Sequence, residues 1–196
     1  MESFGAKCHS SPSSLTDFGK KLLDENPDNP GSLGIAISDA IEAVVKSGGK
    51  AKYSLGSVLG HVLMHQTING NEAILQMEQA GDYPDIIVGC TGGGSNLSGL
   101  MFPFLGQQLR GGQKIDIIGC EPLSCPSFTK GKYAYDHGDM AKMTPLIKMH
   151  TLGSDFLPPA THSGGLRYHG MSYHLSHLYD LGLMRAKAYG QKECFE

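Results

Sequence analysis

No apolar run in this sequence approaches the roughly 20 residues that a bilayer-crossing helix needs, which removes a membrane span from the readings. An excess of charge is also missing. The 16 basic and 19 acidic residues are interspersed and leave a formal net charge of -3. That balance offers no basic stripe for nucleic acid and no cationic face for lipid. Met1-Glu2-Ser3-Phe4-Gly5 lacks the charged-then-apolar pattern of a secretion signal. Five cysteines, Cys8, Cys90, Cys120, Cys125 and Cys194, are scattered without metal-ligand spacing. In a strand pattern, a thiol such as Cys90 or Cys120 acts as a small hydrophobe. His61 and His65, like His174 and His177, stand at helical spacing without the carboxylate or third ligand of a zinc site, so they read as helix-surface histidines and no metal is expected. Ser95 and Ser127 have no histidine and acid in a nucleophile arrangement, which argues against a hydrolase. Internal repeats and low-complexity segments are absent. What remains is a soluble chain of 196 residues with 40% hydrophobic content, able to bury one sizeable core, suited to a reducing cytoplasm and to a small partner.

The informative residues are Thr91-Gly92-Gly93-Gly94-Ser95-Asn96, which join an apolar strand pattern, Asp85 to Cys90, to a helix pattern starting near Ser95. Successive glycines let the backbone approach an anion and adopt positive φ without a Cβ penalty. Ser95 or Asn96 can cap the helix, whose free N–H groups and positive dipole end face the same point. No lysine follows the glycines, so the P-loop pattern is excluded, and the spacing is not the dinucleotide fingerprint. A phosphate monoester fits better than a pyrophosphate; a glycine-rich turn that binds nothing is the alternative.

Along the rest of the chain, residues 5–10 read as a short strand, and Ser11-Pro12-Ser13-Ser14 opens a modest helix. Asn26-Pro27-Asp28-Asn29-Pro30-Gly31 forces a loop. Ser32 is a candidate N-cap for a helix with Ile37, Ala40, Ile41, Val44 and Val45 on one face, ended by Gly48-Gly49. A long helix is expected from Ser57, with a break around Asn69-Gly70-Asn71. The strand at Asp85–Cys90, a helix through Leu97, Leu100, Met101, Phe104 and Leu105, and a strand over 114–121 follow the grammar of a parallel sheet. Pro103 predicts a kink or break in the middle helix. Ligands of such sheets collect beyond the carboxyl ends of the strands, where the glycine turn and Glu121 both emerge. Glu121 reads either as an acid or base there or as a structural carboxylate receiving backbone N–H bonds. Beyond Pro122 the chain reads as loop-rich through 133–139, Pro145 and Pro158-Pro159, up to a last helix from near Gly170 to Leu181.

Ile87-Val88-Gly89-Cys90-Thr91-Gly92-Gly93-Gly94-Ser95-Asn96, followed one strand later by Gly119-Cys120-Glu121-Pro122, resembles the large domain of the tryptophan synthase β family, pyridoxal-phosphate enzymes of fold type II. Three stretches are similar to its second-type branch: Tyr53-Ser54-Leu55-Gly56-Ser57-Val58-Leu59 with His65-Gln66-Thr67, Cys125-Pro126-Ser127-Phe128-Thr129-Lys130-Gly131, and Gly164-Gly165-Leu166-Arg167-Tyr168-His169-Gly170. The likeness runs from Phe4-Gly5-Ala6 to the last residues. It implies an α/β chain with part of the fold type II architecture, a parallel sheet flanked by helices. Residues 1–50 then form the remainder of the mobile N-terminal subdomain, and residues 51–196 form an incomplete large cofactor-binding domain.

The resemblance further implies that Gly92, Gly93, Gly94, Ser95 and Asn96 hold the phosphate of pyridoxal 5′-phosphate, that backbone carbonyls of nearby loops bind a monovalent cation, and that Glu121 and Arg167 lie toward the substrate pocket. At position 167 the main branch carries aspartate and the second-type branch arginine; a solvated loop arginine is the alternative reading. The implied reaction is a cytoplasmic lyase step of tryptophan biosynthesis, joining L-serine to indole to give L-tryptophan and water, in a homodimer able to meet an α subunit. The family's Schiff-base lysine lies in a portion preceding the aligned stretch, and its acid–base groups also fall outside that stretch. No catalytic residue is therefore assigned, and the polypeptide is expected to be inactive alone. A non-catalytic scaffold that binds phosphates or a partner is the alternative. A relative handling serine, threonine or cysteine, such as a dehydratase or sulfhydrylase, fits Gly94-Ser95-Asn96 and residues 125–131 less well. Incomplete sheet edges predict association.

Overall fold

A computed structural model describes residues 1–162 and 165–196 of the protein. After a single 3-10 turn at Glu2–Phe4 come α1 (Asp17–Glu25), α2 (Leu33–Lys46), α3 (Gly60–Ala80), β1 (Ile86–Cys90), α4 (Ser95–Leu109), β2 (Asp116–Pro122), β3 (Lys132–His137), β4 (Leu146–Thr151), α5 (Tyr173–Asp180) and β5 (Arg185–Tyr189). Strands β1, β2 and β5 form a parallel sheet in that order, and β3 and β4 form an antiparallel pair. This is an α/β architecture with a parallel sheet flanked by helices.

Ile87 and Ile117 are register partners on β1 and β2 and turn toward the core, where Leu97, Met101, Phe104 and Leu105 of α4 meet them with Met171, Leu175 and Met184. Each such side chain contributes about 2 kcal/mol by leaving water. The same crossover places the start of α4 at the carboxyl end of β1, as a parallel sheet requires.

Helix α3 runs unbroken through Asn69-Gly70-Asn71, against the expected break. Gly70 is there for contact rather than flexibility: a Cβ on it would lie 2.4 Å from the Leu100 carbonyl oxygen and 2.7 Å from that of Gly99. Gly99 answers from α4, where a Cβ would sit 2.5 Å from the backbone oxygen of Gln66. The two helices therefore cross backbone to backbone. Pro103 is likewise inside α4, which continues from Ser95 to Leu109 instead of breaking. Proline deprives the Gly99 carbonyl of its intrahelical donor. That carbonyl faces Gly70, whose Cα–H is a weak substitute.

Three further expectations are corrected. Residues 5–10 are not a strand; they are exposed and no strand pairs with them. The stretch read as loop after Pro122 contains β3 and β4, paired from Lys132↔Thr151 to His137↔Leu146. Strand β5 was not anticipated: Arg185-Ala186-Lys187-Ala188-Tyr189 has little intrinsic strand preference and owes its form to pairing with β2.

Helix α2 begins as expected at Ser32, whose hydroxyl accepts the Ile35 N–H at 3.2 Å. Its buried face is Gly34, Ile35, Ile37, Ser38 and Asp39, whereas Val45 is exposed. The expected apolar stripe holds at Ile37, which is buried, and at Ile41, which packs against its cluster, and polar contacts add to it. Asp39 accepts from Ser11 Oγ at 2.7 Å, from Ser13 N at 3.1 Å and from Thr16 Oγ1, holding the segment before α1. Ser38 Oγ donates to Asp139 at 2.8 Å, and Met140 N donates to the Gly34 carbonyl at 3.2 Å. The last two bonds, from Ser38 and to Gly34, seat residues 1–50 on the rest of the chain. Gly164, the first residue of the 164–170 stretch, lies outside the described residues.

Candidate functional site

The glycine turn is anchored at its entry. Thr91 is buried, and both its N–H and its Oγ1 donate to the Cys120 carbonyl, at 2.7 and 3.2 Å, tying the end of β1 to β2. Of the three glycines, Gly94 takes a left-handed backbone, φ 92°, and is the N-cap of α4 without a side-chain bond. Expected capping by Ser95 or Asn96 is thus corrected. Ser95 is the first helical residue, its hydroxyl accepting Gln66 Nε2 at 3.4 Å, and Asn96 is exposed. Gly93 is required by close approach: a Cβ there would lie 2.3 Å from Val58 Cγ2.

Among the described residues, no backbone acceptor takes the N–H groups of Gly92, Gly93 or Gly94. Those of Ser95, Asn96 and Leu97 open α4 and have no intrahelical partner by geometry. A run of unspent donors at the positive end of a helix dipole is thereby gathered at the carboxyl edge of the sheet. Around it stand Val58, Leu166, Met171, Ser172 and Leu175. Ser172 N donates to the Gly93 carbonyl at 3.0 Å, while the buried Ser172 hydroxyl has no partner among the described residues and lies 3.2 Å from where a Gly94 Cβ would be. Val58 is a β-branched residue at φ 67°, a backbone region that such side chains rarely adopt. Sequence reasoning missed Val58, Met171 and Ser172 as neighbours of the turn, because their contacts are long-range and leave no periodic signal.

Glu121 is 2% exposed at the end of β2. One carboxylate oxygen accepts Phe128 N at 2.8 Å; the other accepts Thr129 N at 2.8 Å and Thr129 Oγ1 at 2.6 Å. Both oxygens are thus engaged in closing the turn that follows the strand. Arg167 is also tied down: its guanidinium donates to the carbonyls of Pro30, Gly31 and Pro158 at 3.1, 2.8 and 3.0 Å, and its backbone carbonyl accepts Leu33 N at 3.3 Å. It joins the loop before α2 to the 158–168 segment and is not at the glycine turn.

Two cavities adjoin these elements. One of about 540 Å³ lies at the carboxyl edge, lined by Cys90, Cys120, Glu121, Leu166, Tyr189 and Cys194. The other, of about 240 Å³, is apolar and lined by Ile37, Tyr53, Leu55, Val58, Tyr168 and Met171. Val58 therefore touches Gly93 and also borders the second cavity. Tyr53 has a buried hydroxyl without a partner among the described residues. No group of three or more His, Cys, Asp or Glu among the described residues is placed to hold a metal ion, and no helix there is long and apolar enough to cross a membrane.

Fold and turn together define a chain of the α/β class with an anion-sized set of backbone donors between a parallel strand and its helix. No family model matches the chain. Over its whole length it is 56% identical to the tryptophan synthase beta chain 2 of Aeropyrum pernix, covering 43% of that protein. It is 55% identical to the tryptophan synthase beta chain 2 of Thermotoga maritima and 53% identical to the tryptophan synthase beta chain of Pseudothermotoga lettingae, covering 46% of each. The chain belongs to the tryptophan synthase β family, and it spans less than half the length of these curated relatives. Among solved structures, a T.th. threonine deaminase is 16% identical over 67% of this chain and 40% of its own, at a TM-score of 0.47, a likeness too low to carry further argument.

Proposed function

We propose that this chain supplies the phosphate cup and the indole pocket of a pyridoxal-phosphate-dependent lyase that joins L-serine to indole with loss of water. The observation that carries the reading is the set of unspent N–H groups at Gly92, Gly93 and Gly94, continued by Ser95 and Asn96. The donor set fits a dianionic phosphate monoester, which accepts several N–H bonds at a helix N-terminus. When bound, pyridoxal 5′-phosphate supplies the electron sink that lets bonds at serine Cα and Cβ break. The chain's own share is to orient that group and exclude water. Val58 lies against Gly93 at the edge of this donor set, and the buried, unpartnered Ser172 hydroxyl beside Gly94 would gain an acceptor from the phosphate.

The apolar cavity bordered by Val58 suits a planar bicyclic substrate, and the unpartnered Tyr53 hydroxyl there can accept an indole N–H. In this reading residues 1–50 are the mobile subdomain and 51–196 the cofactor-holding domain, with Glu121 and Arg167 shaping the pocket from behind through the turns they close. The reading carries with it a cytoplasmic setting, a homodimer, an α-subunit partner and a monovalent cation held by loop carbonyls.

A second reading is favoured by the residues that touch the turn. Among the described residues that come nearest the turn's glycines, namely Ser57, Val58, Gly165, Leu166, Met171, Ser172 and Leu175, none is a lysine. On that reading the polypeptide alone holds phosphate without turnover. Titrating it with pyridoxal 5′-phosphate while following backbone amides by NMR tests the first reading: shifts concentrated at residues 92–97 and 172 support it, and unmoved amides there overturn it. Tryptophan formed from serine and indole by this polypeptide alone overturns the second.

A further inference from the structure

We propose that the apolar cavity and the glycine turn bind their ligands cooperatively, with Val58 as the positioning residue that couples them. The inference rests on the reading of the turn as a phosphate cup and of the cavity as an indole pocket, and adds that each ligand tightens the other. Two side chains form the wall between the sites. A Cβ on Gly93 would collide with Val58 Cγ2, and one on Gly94 would lie 2.7 Å from Met171 Sδ, so both side chains press on the turn. Both also line the cavity of about 240 Å³, whose other walls include Ile37, Tyr53, Leu55 and Tyr168. Val58 and Met171 are 8% and 0% exposed, so the wall is interior to the chain.

Val58 is the half of that wall under strain. Leu59 N donates to the Ser57 carbonyl at 2.7 Å, which closes a three-residue γ-turn with Val58 at its centre, φ 67°. That turn is the rare, strained form, and a β-branched residue suits it least. A strained conformation persists only where its surroundings over-determine it. One side of Val58 is braced by Gly93. The other faces the cavity, which returns dispersion contacts only when a ring occupies it and otherwise gives the side chain room to relax. Once Val58 leaves, Gly93 loses its brace, and three adjacent glycines regain the freedom that costs most to remove. An apolar ring in the cavity takes that room away. Val58 is then held at positive φ against Gly93, the N–H groups of the turn stay gathered, and an anion meets a pre-formed cup. By linkage, the anion fixes Val58 and strengthens the hold of the cavity on the ring by the same factor.

NMR titrations with inorganic phosphate and with indole, each alone and each with the other at saturation, measure the coupling residue by residue. Phosphate is followed at the amides of residues 92–97, and indole at the methyl groups of Val58 and Met171. Saturating indole is expected to tighten phosphate binding at least about fivefold, and saturating phosphate to tighten indole by the same factor. Val58→Gly takes positive φ without strain and carries no side chain to brace the turn, so its coupling factor is expected to fall to about one. The double titration of the parent chain decides the matter even where that variant does not fold. Independent binding constants, or mutual weakening, overturn the coupling and leave the cup and the pocket standing. A factor that persists in folded Val58→Gly overturns the role of Val58. Amides at 92–97 unmoved by phosphate, or cavity methyl groups unmoved by indole, overturn the earlier reading and this one with it.

Discussion

Around α4 the chain is held by apolar side chains closing on glycines, whereas from α2 to the β3–β4 loop it is held by buried carboxylates. Leu97, Met101 and Phe104 pack against Ile87 and Ile117, and Gly70 and Gly99 let α3 and α4 touch. On the other side, Asp39 and Asp139 gather hydroxyls and backbone N–H groups from segments far apart in sequence. Apolar contact is non-directional and consumes no hydrogen-bond donors, so it leaves the turn between β1 and α4 with N–H groups to spend. A buried carboxylate works the opposite way, since every donor it collects is fixed and spent. Capacity to bind an anion therefore sits in the first region, and the second supplies the framework behind it.

The sharpest way to break the comparison is at the helix crossing. Gly70→Val places a branched side chain where backbone atoms already lie within 3 Å of a Cβ, so α3 and α4 must part. An expected loss of roughly 3 kcal/mol, at the upper end for overpacking, follows where backbone leaves no room to relax. Urea denaturation of variant and parent measures it; a loss under about 1 kcal/mol would mean that the helices do not meet as described.

Asp139 tests the polar side. It is fully buried and accepts Ser38 Oγ, Thr144 Oγ1, Thr144 N and Met143 N at 2.8, 2.8, 2.9 and 3.2 Å. Asp139→Ala strands those donors, and the expected cost is about 3 kcal/mol. Burial pushes the carboxyl up, but the bonds from Thr144, Ser38 and Met143 outweigh it and hold the pKa below the usual carboxylate value. A carboxylate depressed in the fold stabilises fully above its unfolded pKa of about 3.9 and loses that contribution as pH falls through the folded value. In Asp139→Asn this part of the acid limb should vanish from a plot of stability against pH.

The same division explains what could be read beforehand. Strand β1, the glycine turn, α4 and β2 are local: apolar runs and glycines adjacent in sequence dictate a strand–turn–helix–strand unit. Ser32 as a cap is legible for the same reason. Strand β5 and the β3–β4 pair depend on partners elsewhere in the chain, and Lys132-Tyr133-Ala134-Tyr135-Asp136-His137 carries no apolar alternation to announce them. Gly70 misled because a breaker inside a helix and a close helix crossing look alike in one dimension, and Pro103 does not interrupt α4. At the site, the turn was visible, but Val58 and Ser172 reach it from 35 or more residues away in sequence, and Arg167 meets Pro30 and Gly31 across a still longer stretch.

A smaller effect probes the boundary between the two kinds of packing. His150 on β4 is buried in a box of rings, stacked on Tyr133 at 4.9 Å between centroids and edge-on to Tyr179 at 5.0 Å, with Phe128 at 5.6 Å. Neither ring nitrogen has a hydrogen-bond partner among the described residues. Burial lowers its pKa, and the opposing pull of Asp180 does not restore it. A histidine kept neutral in the fold contributes its full stability above the unfolded pKa of about 6.5, and that contribution declines as pH falls through the folded value. His169 and His174 are lowered by burial as well, so the total slope is shared. Replacing the ring with another that cannot protonate separates the shares: His150→Phe keeps the aromatic box but should flatten the decline in stability between neutral and mildly acidic pH. If wild type and variant lose stability in parallel over that range, His150 is not held neutral by the surrounding rings.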